Sequence, residues 1–212
     1  YLKFLSRNKL YTAIEAVGLA VSLAFVIIIG SYVWQQYAVT RENPDRERIY
    51  VPGLPMFPAL TYGFPDAIGD IPEIETVSRI ANVVVHPVIK GEQIEAESAG
   101  VEPAFFEICP EFRFVEGAAD VLSAPSHVIL TASFAGKHDL SVGETLEISG
   151  DSYMVGAILE DLKGTVIKPY DIFMNAAIYK DNWQPFDNYG STVTLVKVRP
   201  GTDRNVLYKK LE

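Results

Sequence analysis

The stretch Tyr11–Trp34, YTAIEAVGLAVSLAFVIIIGSYVW, decides how the rest of the chain is read. Its only charged residue is Glu15, near one end, and from Ala16 to Trp34 there is none. A helix rises ~1.5 Å per residue, so this run matches a hydrocarbon core of about 30 Å. It contains no proline, and a helix satisfies its own backbone hydrogen bonds, as lipid requires. Tyr32, Trp34 and Tyr37 gather at its C-terminal end, where an aromatic belt belongs. Two other readings compete. A buried core helix is disfavoured because the run is apolar on every face. A cleaved signal peptide is disfavoured because the run is long and is followed by bulky residues where a small-residue cleavage site would lie. The expectation is a transmembrane helix over residues 11–37.

Charge gives the orientation. Lys3, Arg7 and Lys9 precede the span, and residues 1–10 carry no acid. Basic flanks stay in the cytoplasm, so residues 1–10 are expected inside and residues 38–212 outside. Residues 1–10 also interleave Leu2, Phe4 and Leu5 with the basic groups, a pattern that fits a short interfacial helix. Of the whole chain's net charge of −9, residues 41–212 hold 15 basic and 26 acidic groups. That balance argues against nucleic acid as a partner, because phosphate contacts need basic patches. The plainer meaning of the acid excess is a soluble charged surface.

The outer part reads as α+β, a mixed α/β domain with hairpins. Arg41–Arg48 is a charged stretch containing Pro44 and reads as a juxtamembrane linker; Ile49–Val51 follows as a short strand. The proline-rich stretch from Pro52 is expected to be loop, and Phe64–Ile71 a short helix stopped by Pro72. Ile74–Ile89 is rich in Val and Ile, so it reads as extended chain; Lys90-Gly91-Glu92 turns it into Gln93–Val101. Within that return, Ile94, Ala96 and Ala99 alternate with Glu95 and Glu97, predicting one buried face. Pro103 opens a short helix through Phe105, Phe106 and Ile108. Val128–Leu130 is a strand, with Thr131 as N-cap of a helix over Ala132–Lys137. Thr145–Ile148, the turn Ser149-Gly150-Asp151, and Tyr153–Leu159 form a second hairpin. Asp171–Met174 and Thr192–Val198 are further strands, and a last helix begins at Arg204. Irregular alternation of strands and helices excludes a regular doubly wound sheet.

Catalytic signatures are missing. No catalytic, cofactor-binding or metal residue is assigned. The histidines are His86, His127 and His138; none stands in an HExxH pair, and none is beside paired cysteines. Ser126-His127 are sequence neighbours, which face opposite sides of a strand, and there is no GxSxG elbow. Glu95/Glu97 and Glu160/Asp161 read as solvated strand and turn residues. Cys109 is the sole cysteine, so no disulfide forms within the chain; its apolar setting predicts a buried, inert thiol. In the span, Gly18 and Ser22 have small-xxx-small spacing, which permits close helix packing, and Gly30 adds a further small residue. Glu15 is placed to snorkel or meet a basic partner.

Several stretches, in order, resemble a family. They are Arg7-Asn8-Lys9-Leu10 before Val17-Gly18-Leu19-Ala20; Arg48-Ile49-Tyr50; Pro72-Glu73-Ile74-Glu75 with Arg79; Val101 through Phe106, then Phe112, Phe114 and Gly117; Val128-Ile129-Leu130-Thr131 with Ser133, Ala135 and Lys137; Val142-Gly143-Glu144-Thr145-Leu146; and Tyr153, Val155-Gly156 and Glu160-Asp161. Together they resemble the N-terminal part of a bacterial ABC-transporter permease of the FtsX/MacB type, in the form common in Bacteroidetes. The chain departs from that pattern at His138-Asp139, at Leu162-Lys163-Gly164 and at Cys109-Pro110. The resemblance implies a MacB-like periplasmic core behind the first membrane helix, with a β-rich insertion over roughly 103–161. It implies three further membrane helices after Glu212, so the chain is expected to be a piece of a longer permease of the bacterial inner membrane. It also implies a cytoplasmic ABC ATPase and a second permease chain as partners, in contact with membrane lipid, and mechanotransmission as the function. The phosphate loop GxxxxGK[ST] is absent, consistent with ATP being handled by that partner. A different class, a single-pass anchored binding or sensor module, is separated from this one by the downstream sequence and by whether the neighbouring gene encodes an ATPase.

Overall fold

The computed structural model describes residues 9–53, 59–161, 169–182 and 192–211. Residues 1–8 of the interfacial segment expected over residues 1–10, and the departure at Leu162-Lys163-Gly164, lie outside them. By compactness the chain divides into an N-terminal helical unit ending at Glu42 and an outer domain beginning at Asn43.

Helix α1 is continuous over Lys9–Glu42, 34 residues, extending past the expected end at residue 37. Its stretch Lys9–Trp34 has mean hydropathy 2.4 and no buried share. Phe25, Ile27, Ile28 and Trp34 are all more than half exposed. Such a surface in water would be strongly unfavourable, and lipid is the environment that accepts it.

The described strands of the outer domain join in one mixed sheet. They are β1 (Ile49–Tyr50), β2 (Ala59–Leu60), β3 (Ile74–Val85), β4 (Pro87–Ile89), β5 (Glu92–Gln93), β6 (Ala96–Val101), β7 (Phe114–Glu116), β8 (His127–Thr131), β9 (Thr145–Ile148), β10 (Asp151–Leu159), β11 (Ile172–Asn175) and β12 (Thr192–Val198). The order across the sheet is β1-β12-β3-β6-β11-β8-β10-β9-β4-β5, with β2 also on β12 and β7 also on β10. Two pairings are parallel, β10 with β8 and β11 with β6. The α+β expectation is therefore met.

Both predicted hairpin turns form. Lys90 and Gly91 have φ 53° and 84°, and Ser149 and Gly150 have φ 56° and 91°. Two successive positive φ values give the turn twist that suits a two-residue hairpin. The short helices are α2 (Phe64–Ile68), which stops short of the expected Ile71, and α3 (Ala104–Ile108), α4 (Ala132–His138) and α5 (Arg204–Leu211), which fall where expected.

Apart from a smaller cluster around Ile74, Val196 and Leu207, the sheet separates two apolar layers, and alternation along β8 and β11 assigns each side chain to one of them. On β8, Val128 and Leu130 enter a cluster with Phe134 of α4, while Ile129 enters an aromatic cluster on the other side. On β11, Ile172 and Met174 join the first cluster and Phe173 the second. Strand β10 changes sides. Val155 belongs with Phe134, but Ala157 and Leu159 belong with the aromatics. A β-bulge between Val155 and Ala157 accounts for the change, because one extra residue reverses the inside-outside phase. The bulged residue is Gly156, where an added Cβ would lie 2.8 Å from Val121 Cβ.

Phe105, Phe106, Phe112, Phe114 and Phe173 form the aromatic layer. Phe105 and Phe112 meet edge-on at 4.9 Å between ring centres, and Phe112 meets Phe173 at 5.6 Å. Such contacts contribute beyond area burial.

Two expectations need correction. Strand β6 does not have one buried face; Ala96, Ser98, Ala99, Gly100 and Val101 are all buried, because β6 lies in the interior of the sheet between β3 and β11. Thr131 occupies the N-cap position of α4 with extended backbone, but its side chain makes no capping hydrogen bond. The Ser133 N–H instead donates to Asp161 Oδ1 at 3.0 Å, so Asp161 is a remote cap and not merely a solvated turn residue. Within residues 41–48, read as a juxtamembrane linker, α1 continues to Glu42 and Arg46–Arg48 forms a 3-10 turn.

Candidate functional site

The described residues present no catalytic constellation; polar contacts converge instead on the first residues of the outer domain, Asn43–Arg48. Asn43 is 5% exposed. Its Nδ2 donates to the Ile108 carbonyl at 2.8 Å and to Glu111 Oε2 at 3.4 Å, and its Oδ1 accepts from the Asp45 N–H at 2.9 Å. The first residue of the domain is thereby tied to the end of α3.

A charge cluster follows within five residues. Arg48 Nη2 lies 2.5 Å from Asp45 Oδ1, and Arg48 Nη1 lies 2.5 Å from Glu75 Oε2. The same Nη1 donates to the Val198 carbonyl at 2.7 Å. Lys197 Nζ lies 2.7 Å from Asp45 Oδ2 and 3.5 Å from Glu75 Oε1. Two cations and two carboxylates thus join the entry turn to β3 and β12. Strand β1 adds a direct backbone tie, pairing Ile49 with Lys197 and Tyr50 with Val196. Lys197 holds the Asp45 carboxyl below its ordinary range, with Arg48 next in effect; Arg48 does the same for Glu75. Each anion is stabilised by a charged donor.

A second cluster braces the same region of the sheet. Arg79 on β3 has a side chain only 7% exposed. Its Nη2 donates to Asp66 Oδ1 at 2.6 Å and its Nη1 to the Tyr62 carbonyl at 2.9 Å. Its Nε is 2.5 Å from Glu102 Oε1, an ionic contact without hydrogen-bond alignment. The guanidinium also lies 4.2 Å from the centre of the Tyr62 ring. Glu102 Oε2 accepts from Ser78 Oγ and from the Arg79 N–H, each at 2.9 Å. Burial raises the Tyr62 phenol above its usual range.

Elsewhere, a groove of about 450 Å³ is lined by Pro103, Phe106, Phe114 and Ala119, with the exposed carboxylates Glu107 and Asp120. It opens beside the aromatic layer.

The residues weighed in the sequence are placed as follows. Cys109 is buried as expected, and burial, followed by Glu111, pushes its thiol well above the ordinary range; a thiol so held is a poor nucleophile. His86 is exposed. His138 stacks against Phe134 at 4.7 Å, with Nε2 buried. Ser126 Oγ and His127 Nδ1 are 3.5 Å apart, at the outer limit of hydrogen bonding. Among the described residues no group of three or more His, Cys, Asp or Glu side chains gathers as a metal site. In α1, Ser22 Oγ donates back to the Gly18 carbonyl at 2.8 Å, and a Cβ at Gly18 would meet nothing within 4 Å.

Asn43, Asp45, Arg79 and Lys197 were not singled out as a site by the sequence. One signal was present: Arg79 and Lys197 interrupt Val- and Ile-rich strands, and a charge half-buried in a sheet needs a partner.

Comparison with known proteins agrees with this architecture. The profile of the MacB-like periplasmic core domain matches residues 12–212. The chain belongs to that family. A domain of a protein described as a permease in Porphyromonas gingivalis superposes with TM-score 0.62 at 20% identity, over 72% of this chain and 68% of that one. The periplasmic region of MacB from Actinobacillus actinomycetemcomitans gives 0.56 at 14% identity, over 72% and 71%. The extracellular domain of the noncanonic ABC-type transporter YknZ from Gram-positive bacteria gives 0.53 at 13% identity, over 77% and 86%. No protein of curated function matches by sequence. The family is one of permease periplasmic domains and not a typical enzyme family.

Proposed function

We propose that the chain is the N-terminal part of an ABC-transporter permease of the mechanotransmission type. Residues 1–10 lie in the cytoplasm, α1 crosses the inner membrane, and the domain from residue 38 onward lies in the periplasm. The observation that carries this reading is the entry clamp. Helix α1 runs to Glu42, and the first residues of the outer domain, Asn43, Asp45 and Arg48, are fixed to α3, β3 and β12. A domain anchored in this way at its first residues is suited to respond when the membrane helices of such a permease move. A cytoplasmic ABC ATPase supplies the displacement, a second permease chain completes the assembly, and the output is export, lipoprotein release or control of a cell-envelope process. Stretch 103–161, which carries β7–β10, is the family's inserted part in this reading.

The test is co-purification. The gene with its downstream sequence is expressed beside its neighbouring ATPase and extracted in mild detergent. Stoichiometric recovery of an ATPase that hydrolyses ATP is the expected result. A single protein with no further apolar spans and no ATPase would replace this reading with an anchored binding module.

A further inference from the structure

We infer that α5 is a latch on the entry turn: it docks through Tyr50, opens without unfolding the sheet, and in opening loosens residues 46–50. The hydroxyl of Tyr50 is the junction. Arg204 Nε of α5 donates to it at 2.8 Å, and it donates in turn to the Glu47 carbonyl at 3.2 Å. A phenol has one proton to give and lone pairs to accept with, so one oxygen serves both neighbours. The Arg204 guanidinium also lies 5.1 Å from the centre of the Tyr50 ring, within cation–π range. Glu47 belongs to the 3-10 turn that carries Arg48. Withdrawing α5 therefore removes the partner that orients Tyr50, and with it a support of the entry turn.

The docking of α5 is slight, which is what lets it open alone. Of residues 204–210, Leu207 alone is buried. It enters the cluster of Ile68, Ile74, Val196 and Val198, against which Tyr50 also packs. Beside it lies a cavity of about 60 Å³ lined by Tyr50, Pro52, Val196, Leu207 and Tyr208; a helix packed to interior density would leave no such gap. An isolated helix shorter than about 12–15 residues is marginal in water, and α5 has eight. A further tie, Lys210 Nζ to Glu73 Oε1, is a partly exposed ion pair, of the kind that adds little. By contrast, β12 is paired with β3 along Thr192–Val198. Helix α5 therefore belongs to the low-stability end of the domain. Strand β1 is the element it releases: two residues long, it has β12 as its one strand partner among the described residues. The inference concerns the outer domain by itself and does not rest on an ATPase partner.

The test is hydrogen exchange, read by mass spectrometry on the whole chain in lipid nanodiscs. In the wild type, amides 207–211 are expected to exchange at least about a hundredfold faster than those of β12. Leu207→Ala removes the anchor while favouring the helix by propensity. It is expected to speed exchange at 207–211 at least about tenfold, and to speed it also at Arg46 and Arg48, which have no part in the Leu207 cluster. Tyr50→Phe keeps the ring and removes only the hydroxyl. It is expected to speed exchange about three- to tenfold at both 46–48 and 207–211, leaving β3 and β12 unchanged. Protection of 207–211 equal to that of β12 in the wild type, unchanged exchange at 46–48 in Leu207→Ala, or unchanged exchange at 207–211 in Tyr50→Phe would each overturn the inference. So would loss of protection in β3 and β12 together with α5, since the sheet would then be opening with the helix.

Discussion

Asn43 and Ile108 are joined by a hydrogen bond of 2.8 Å from the carboxamide to the main-chain carbonyl, buried and spanning 65 positions of sequence. The bond makes the first residue of the outer domain part of its interior. Asn43→Ala removes that donor and also the acceptor for the Asp45 N–H. A buried carbonyl left without a donor costs about 1–3 kcal/mol. Denaturant unfolding should show a loss in that range. Hydrogen exchange should show faster amide exchange confined first to residues 43–48; unchanged protection there would mean that Asn43 does not hold the entry turn.

Arg79 is a different kind of brace, a cation buried among an aromatic ring and two acids. Arg79→Met keeps much of the volume but leaves Glu102 and Asp66 without their partner. Breaking a fully buried pair costs about 3–5 kcal/mol, and the partial exposure of both acids lowers the expectation to about 2–4 kcal/mol. Arg79→Lys should recover only part of this, because an ammonium cannot reach Asp66, Glu102 and the Tyr62 carbonyl in one plane. Equal stability of the lysine variant and wild type would show that charge alone suffices.

Acid should loosen the same end of the domain. Lys197 and Arg48 hold Asp45 below its ordinary range, Arg48 holds Glu75 and Lys210 holds Glu73. Unfolded carboxyls titrate near 3.9–4.3. A depressed folded value means that the stabilisation is fully present above the unfolded value and is lost as pH falls through the folded one. The thermal midpoint should be flat between about pH 7 and 5 and then drop below about pH 4. Asp45→Asn with Glu75→Gln should lower the midpoint at neutral pH and flatten the acid limb. Molar salt should flatten it too, because these groups are partly exposed. An acid limb identical in wild type and double variant would place the sensitivity elsewhere.

Gly117 ends β7 with φ +80°, and a Cβ there would lie 2.6 Å from both Ala157 Cβ and the Gly156 carbonyl. Gly117→Ala therefore meets a conformational and a steric penalty together, about 2–4 kcal/mol. The loss should appear as a lower denaturant midpoint and as exchange at β7 amides. A neutral substitution would mean that β7 yields readily from β10.

What the sequence disclosed followed the range of the forces involved. The span, both hairpin turns and the short helices are local, written in hydropathy and in Lys90-Gly91 and Ser149-Gly150. Sheet position is not local. Ala96–Val101 is small and partly polar, so its alternation suggests one wet face, yet neighbours on both sides and layers on both faces bury it. The cap of α4 was hidden for the same reason, since Asp161 arrives from the far end of β10. Residues 41–48 read only as a charged juxtamembrane linker because the residues that pair with them, Glu75 and Lys197, are distant in sequence. The family motifs become intelligible once folded: Arg48, Glu75, Arg79, Phe112, Gly117, Gly156 and Asp161 each hold one element against another. The groove was not legible, because Glu107 and Asp120 are unremarkable until the fold sets both beside Phe106 and Phe114.

Strand β12, near the end of the sequence, inserts between β1 and β3, near its beginning, with Leu195 opposite Ser78 and Lys197 opposite Ile49. Pairings so distant along the chain are slow to form. During synthesis, that edge of β3 stays unpaired for the whole time that residues 86–191 are being added. Open edges invite pairing with the wrong strand. The fold therefore carries a kinetic burden: the β12 edge of β3 stays open until Thr192–Val198 has been made, and an interruption before that point leaves the half-built sheet most vulnerable to mispairing and proteolysis.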